Sequence, residues 1–210
     1  MKPVITLKEY ETIFRVLYAV SHSVGNTTGK ACLFYNVIGA LVLAERFKKK
    51  ARPVMGAAFF RVHDPSATVL SYSRLIDGIP SSDAEAFHCW VECEGFLIDF
   101  TAPVFRESFA ESGQQLAINR QMLQKPLSQM ASTVNDLSSE GDFWLLPNPE
   151  LSNELLAKFL QKPAPSDLAK VCLSWVAKPS KKTPEVFAMM NDLGEVSNMK
   201  LPNIHLVSAW

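Results

Sequence analysis

The sequence predicts an α+β domain in which a buried, cysteine-bearing helix lies against an antiparallel sheet. Three observations predict it. Residues 8–23 carry a helical apolar period, residues 32–44 are apolar nearly all round, and beyond Arg52 the pattern changes to short strands separated by turn residues.

Between Lys8 and Ser23, apolar residues recur at Tyr10, Ile13, Phe14, Val16, Leu17 and Val20, which gives a helix with one buried stripe. Gly25-Asn26-Thr27-Thr28-Gly29 then breaks the pattern with turn formers. A second helix is expected from Gly29 or Lys30 to Lys48. Its Cys32–Ala44 stretch is apolar on every side, so it belongs inside the domain, packed by more than one neighbour. Phe34, Val37, Ile38, Leu41 and Val42 are its expected core residues.

Strands are expected at Val54–Val62, Ala67–Leu75, Ala86–Cys93 and Phe96–Thr101, punctuated by Asp-Pro, Gly-Ile-Pro and Glu-Gly. After Thr101 the reading is short helical pieces broken by prolines. Lys125–Gly141, rich in Ser, Gln and Asn, is expected at the surface. A further strand at Asp142–Leu146, helices near Pro149–Leu160 and Ser166–Val176, and an irregular tail to Trp210 complete the chain. Residues 1–145 are therefore taken as the core, and 146–210 as a helical extension packed on it.

The 210 residues are 48% apolar and 20% charged, an ordinary globular composition. Net charge is zero, and apart from Lys48-Lys49-Lys50-Ala51-Arg52 and Lys181-Lys182 no like-charged block stands out, so no nucleic-acid partner is expected. The N-terminus lacks the apolar core of a signal peptide, and Ala31–Ala44 falls short of the about 20 apolar residues a bilayer span needs. A cytoplasmic protein with no membrane partner is expected. Its four cysteines are too few for a disulfide framework and are expected as free thiols.

Three residue types carry chemistry. Cys32 falls in the first turn of the buried helix, where unpaired amides and the positive end of the helix dipole favour a thiolate, and Lys30 acts in the same direction. His88 and Asp99 lie on two apolar strands joined at Glu94-Gly95. If that turn has two residues, Cys93 faces Phe96, Trp90 faces Asp99 and His88 faces Thr101. His88 and Asp99 are then diagonal neighbours on one face. A carboxylate there accepts one ring proton and leaves the other nitrogen for a thiol. A slip of one residue would separate them onto opposite faces. A zinc site at His88, Cys89 and Cys93 is disfavoured. On a strand the two cysteines are about 13 Å apart and face away from His88.

A helix-starting cysteine, His88-Cys89-Trp90-Val91-Glu92, a short turn and Leu97-Ile98-Asp99 resemble the transglutaminase-like branch of the papain-like superfamily, in which arylamine N-acetyltransferases share the Cys…His…Asp order. Phe87–Glu92 with Phe96–Asp99 also resembles a bacterial family of uncharacterised proteins, domain of unknown function 2026. The resemblance spans about Lys8 to Thr101. It implies a papain-like core with Cys32 as nucleophile, His88 as general base and Asp99 as orienter. The chain departs from the peptidase pattern: Leu33 follows Cys32, and no glutamine precedes it in the loop. Oxyanion donors would be the Cys32 amide and either Asn26 or His22. The expected substrate is a small-molecule or peptide amide or acyl compound, with no cofactor. A catalytically silent binding module is the alternative.

Overall fold

The computed structural model describes residues 2–25, 31–111, 113, 116–179, 181–190 and 193–210. Helix α1 (Leu7–Ser23) starts at a capping box, in which Thr6 accepts from the Glu9 amide and the Glu9 carboxylate accepts from the Thr6 amide. Tyr10, Ile13, Phe14, Val16, Leu17 and Val20 are all buried, as the helical period predicts.

Helix α2 (Cys32–Phe47) ends at Lys48, whose φ of 57° is left-handed. Every residue from Phe34 to Ala40 is buried, followed by Val42 and Leu43. Leu41 is a correction to the expected core, because it is 36% exposed. Leu41, Glu45 and Lys48 are all exposed and spaced by four and three residues, so they form one stripe left open among the described residues. Apolar composition says what a helix can bury, and its neighbours decide what it does bury.

The remaining elements follow in chain order. Long β1 (Ala51–His63) leads to β2 (Thr68–Tyr72), a small hairpin of β3 (Arg74–Ile76) and β4 (Ile79–Ser81), then β5 (His88–Cys93) and β6 (Phe96–Asp99). A 3-10 turn at Ala102–Val104 enters α3 (Phe105–Glu111), followed by β7 (Gln121–Pro126) and β8 (Phe143–Pro147). Helix α4 (Pro149–Leu160) is capped by Asn148, and α5 (Pro163–Trp175) opens on two prolines that the first helical turn tolerates. The chain closes with a β9 (Val186–Met190) and β10 (Val196–Lys200) hairpin and a short β11 (Ser208–Ala209).

Seven strands form one sheet in the order β11-β7-β6-β5-β1-β2, with β8 also on β1. Its pairs are antiparallel except β7 with β11. Gly56 pairs with both His88 and Pro147, and an added Cβ there would lie 2.1 Å from the Leu146 carbonyl oxygen.

The sheet is covered on both faces. Val91, Cys93, Phe96 and Ile98 face a core built with α1, α2 and α5, and Cys89 on the same face packs with α2 and α4. Trp90, Leu97, Leu123 and Phe143 face a second core with Phe105 and Phe109. The fold is thus α+β, and no described helix is long and apolar enough to cross a membrane.

Two regions depart from expectation. Residues 121–126 form a strand inside the sheet instead of helical pieces and surface. Gln124 is buried there because its amide bonds both Ile5 N (3.1 Å) and Ile5 O (3.0 Å), so a polar residue meets no penalty. The tail holds two paired strands and a third that joins the sheet.

Candidate active site

The β5–β6 turn sets the geometry. Glu94 and Gly95 both have positive φ, 51° and 84°, the pattern of a two-residue hairpin turn whose twist matches its strands. Cys93 pairs with Phe96 and Val91 with Ile98, the register expected. His88 and Asp99 therefore share a face, and His88 Nε2 lies 2.6 Å from Asp99 Oδ2 with both side chains fully buried.

The second carboxylate oxygen is also occupied. Asp99 Oδ1 accepts from Thr101 N (2.8 Å), from the Thr101 hydroxyl and from Asn36 Nδ2 (2.9 Å). The Tyr10 hydroxyl donates to the Asp99 carbonyl. Asn36 is fully buried on α2. Its amide also donates to the Cys89 carbonyl (2.7 Å), and its oxygen accepts from Phe100 N (2.9 Å). Asn36 thereby pins α2 to the end of the hairpin.

Cys32 is four residues from Asn36, one turn earlier on the same helix face. It is the first residue of α2 and is half-buried. The cap residue Ala31 offers no side-chain acceptor, so the first amides of α2 point out of the helix without intrahelical partners. His88 Nδ1 is buried and makes no ordinary hydrogen bond. The Cys32 thiol is near enough to raise the His88 pKa.

The electrostatics follow from this packing. Burial works against an imidazolium, but the Asp99 charge and hydrogen bond, with Cys32 adding to them, push His88 up to about 10. Burial likewise opposes a charged Asp99. The charge and hydrogen bond of His88, and those from Thr101 and Asn36, outweigh it and hold the carboxyl below its usual range. Burial, then the nearby Cys32 and Asp99, raises the Cys89 thiol. Three aromatic rings enclose the imidazole: Tyr72 stacks on it at 4.4 Å, and Phe60 and Phe105 meet it edge-on at 5.5 and 6.1 Å.

The structure thus brings together Cys32, His88 and Asp99. His22 is not joined to them among the described residues. It sits exposed in the last turn of α1 and stacks on Tyr18 at 4.0 Å. Asn26 and Lys30 lie outside the described residues. Asn36, Thr101, Tyr10 and Tyr72 were not anticipated. One signal for Asn36 was legible, a lone amide inside an apolar helix four residues after the cysteine. Among the described residues no three His, Cys, Asp or Glu side chains group as metal ligands. Cys89 and Cys93 pack toward the helices, on the face opposite His88.

The sequence model of the family described as "Protein of unknown function (DUF2026)" matches residues 6–210. A solved structure described as "The crystal structure of genomics APC5867" is 30% identical, with a TM-score of 0.87, covering 100% of this chain and 98% of that one. No curated protein matches the chain.

Proposed function

The chain belongs to the DUF2026 family, and we propose that it is a thiol-dependent acyl-transfer or hydrolytic enzyme with a papain-like, transglutaminase-like core. One observation carries the reading. A histidine is bound to a buried carboxylate through Nε2, its Nδ1 is buried and uncommitted, and a cysteine at the start of a buried helix lies near enough to act on the ring's charge. Four free thiols suit a reducing, cytoplasmic setting.

In this mechanism a protonated His88 beside Cys32 stabilises a thiolate, the reactive form of the side chain. Cys32 attacks the carbonyl of a small-molecule or peptide amide, ester or thioester. The first amides of α2 face the oxyanion that develops. His88 gives its proton to the leaving group, leaving a thioester on Cys32. It then takes a proton from water or an amine as that acceptor attacks, and the acyl group departs from sulfur. Asp99 keeps the ring orientation and balances its charge throughout.

The test is acylation by p-nitrophenyl acetate, read as the mass of one acetyl group on Cys32. The expected result is a modified wild type, with Cys32→Ser unmodified and His88→Ala slowed strongly. Equal modification of wild type and His88→Ala sinks the reading. One observation favours the alternative of a catalytically silent binding module: Tyr72 lies flat on the His88 ring and closes one of its faces. That reading predicts no acetyl adduct on folded protein.

A further inference from the structure

A second site lies at the opposite end of α2. A cavity of about 540 Å³ is bounded by the first half of α1, by Phe47 and by residues 176–179, 181–183 and 185. Phe47 ends the 16-residue helix that Cys32 begins, so the cavity is about 22 Å from the thiol at 1.5 Å per residue. It is not the cleft of the proposed reaction.

Its charge is lopsided in a chain whose net charge is zero. Lys8, Lys178, Lys181 and Lys182 line it and enter no ion pair among the described residues. Its acids are already engaged. Glu9 holds the Thr6 cap, Glu11 accepts from Leu206 N (2.7 Å) and faces His205, and Glu185 pairs with Arg15 at 3.5 Å. Described residues on either side of residue 180 bond to one another and to the end of α5. Thr183, itself buried, accepts from Ala177 N (3.1 Å), and Trp175 Nε1 donates to Pro184 O (2.8 Å). Lys178, Lys181 and Lys182 are exposed at the edge of one cavity, and their like charges repel, a repulsion that an anion would relieve.

We propose that this cavity binds a small molecule bearing two or more phosphate groups. Lysine ammonium groups act as point charges that suit phosphate, whereas recognition of planar carboxylates relies on the arginine fork. The one arginine lining the cavity, Arg15, is committed to Pro202 O (2.8 Å) and Glu185. A nucleic acid fits less well, because the cations ring one cavity and do not extend along a stripe.

The experiment is calorimetric titration of the full chain with tripolyphosphate, pyrophosphate, ADP and citrate, with ionic strength matched by sodium chloride. Tripolyphosphate should bind saturably at one site, more tightly than pyrophosphate. ADP binding tighter than pyrophosphate identifies a nucleotide as the source, and equal binding identifies free polyphosphate. Lys181→Glu/Lys182→Glu should weaken binding by about tenfold or more, while Lys50→Glu, outside the cavity, should leave it unchanged. A thermal melt without ligand checks that each variant folds. Citrate binding as tightly as tripolyphosphate, binding that survives the double reversal, or no binding above the salt control overturns the proposal. None of these outcomes bears on acylation of Cys32, so the two readings fail separately.

Discussion

Asn36 Nδ2 donates to Asp99 Oδ1 at 2.9 Å, so the helix that begins at Cys32 and the hairpin that carries His88 are tied through one buried amide. The same side chain meets Cys89 O and Phe100 N, so both ends of its amide are used at that junction. Asn36→Ala takes this partner from Cys89 O and Phe100 N and leaves Asp99 Oδ1 with its two Thr101 donors. A loss of about 2–4 kcal/mol is expected in urea unfolding, since each buried group left unpaired costs about 1–3 kcal/mol. A loss under about 1 kcal/mol would mean that water or a rearrangement replaces the amide.

The His88–Asp99 pair predicts a particular dependence of stability on pH. The Asp99 carboxyl is held low, so its contribution is present above about pH 4 and is lost as pH falls through its folded value. The His88 pKa is raised from 6.5 to about 10, so its contribution is complete below about 6.5 and is lost as pH rises toward 10. Urea midpoints should therefore decline from pH 6 to 9.5 in the wild type. In Asp99→Asn the decline should be shallower or reversed. Parallel declines in both proteins would assign the effect to other groups.

The four thiols should separate by accessibility. Cys32 is half-buried, whereas Cys89, Cys93 and Cys172 are buried. Burial, with Glu94 adding to it, raises the Cys93 thiol to about 11, and burial raises Cys172 to about 12. Iodoacetamide at neutral pH should add one group to the native protein, at Cys32, and four after unfolding. Prompt labelling of Cys89 in native protein would show that α2 opens away from the sheet.

Neighbouring positions on α2 should differ sharply. Ile38 is 1% exposed and Leu41 is 36% exposed. Ile38→Ala should cost about 2–5 kcal/mol in chemical denaturation, and Leu41→Ala under about 1 kcal/mol. Equal costs would place a covering partner on the outer stripe of the helix.

Gly56 should tolerate no side chain. Its added Cβ would meet backbone, the Leu146 carbonyl at 2.1 Å and Pro147 Cα at 2.9 Å, so β1 and β8 must part. Gly56→Ala should cost about 1–3 kcal/mol in a thermal or urea melt. A neutral result would show that β8 shifts freely against β1.

How much of this was legible in the sequence depended on whether local pattern and tertiary role agreed. At α1, the β5–β6 turn and α4 they agree: one apolar stripe, one Glu-Gly corner and one Asn-Pro start each specify the observed element. At β7 they disagree, because Gln121 and Gln124 read as part of a helical piece and Lys125 as surface, while Gln124 finds its partners in the distant backbone of Ile5. Leu41 fails the other way, being apolar yet 36% exposed. For the site, the pairing of His88 with Asp99 follows from turn chemistry alone. Tyr72 does not, since it arrives from β2 by packing that no local pattern encodes.

The His88–Asp99 contact closes over 11 residues, whereas Asn36 reaches Asp99 across 63. Closing the short loop costs far less chain entropy than closing the long one. During folding the imidazole and carboxylate can meet within their own hairpin, while the thiol joins them only once α2 has docked. A chain caught partway to its native state therefore carries the His88–Asp99 pair without Cys32 beside it.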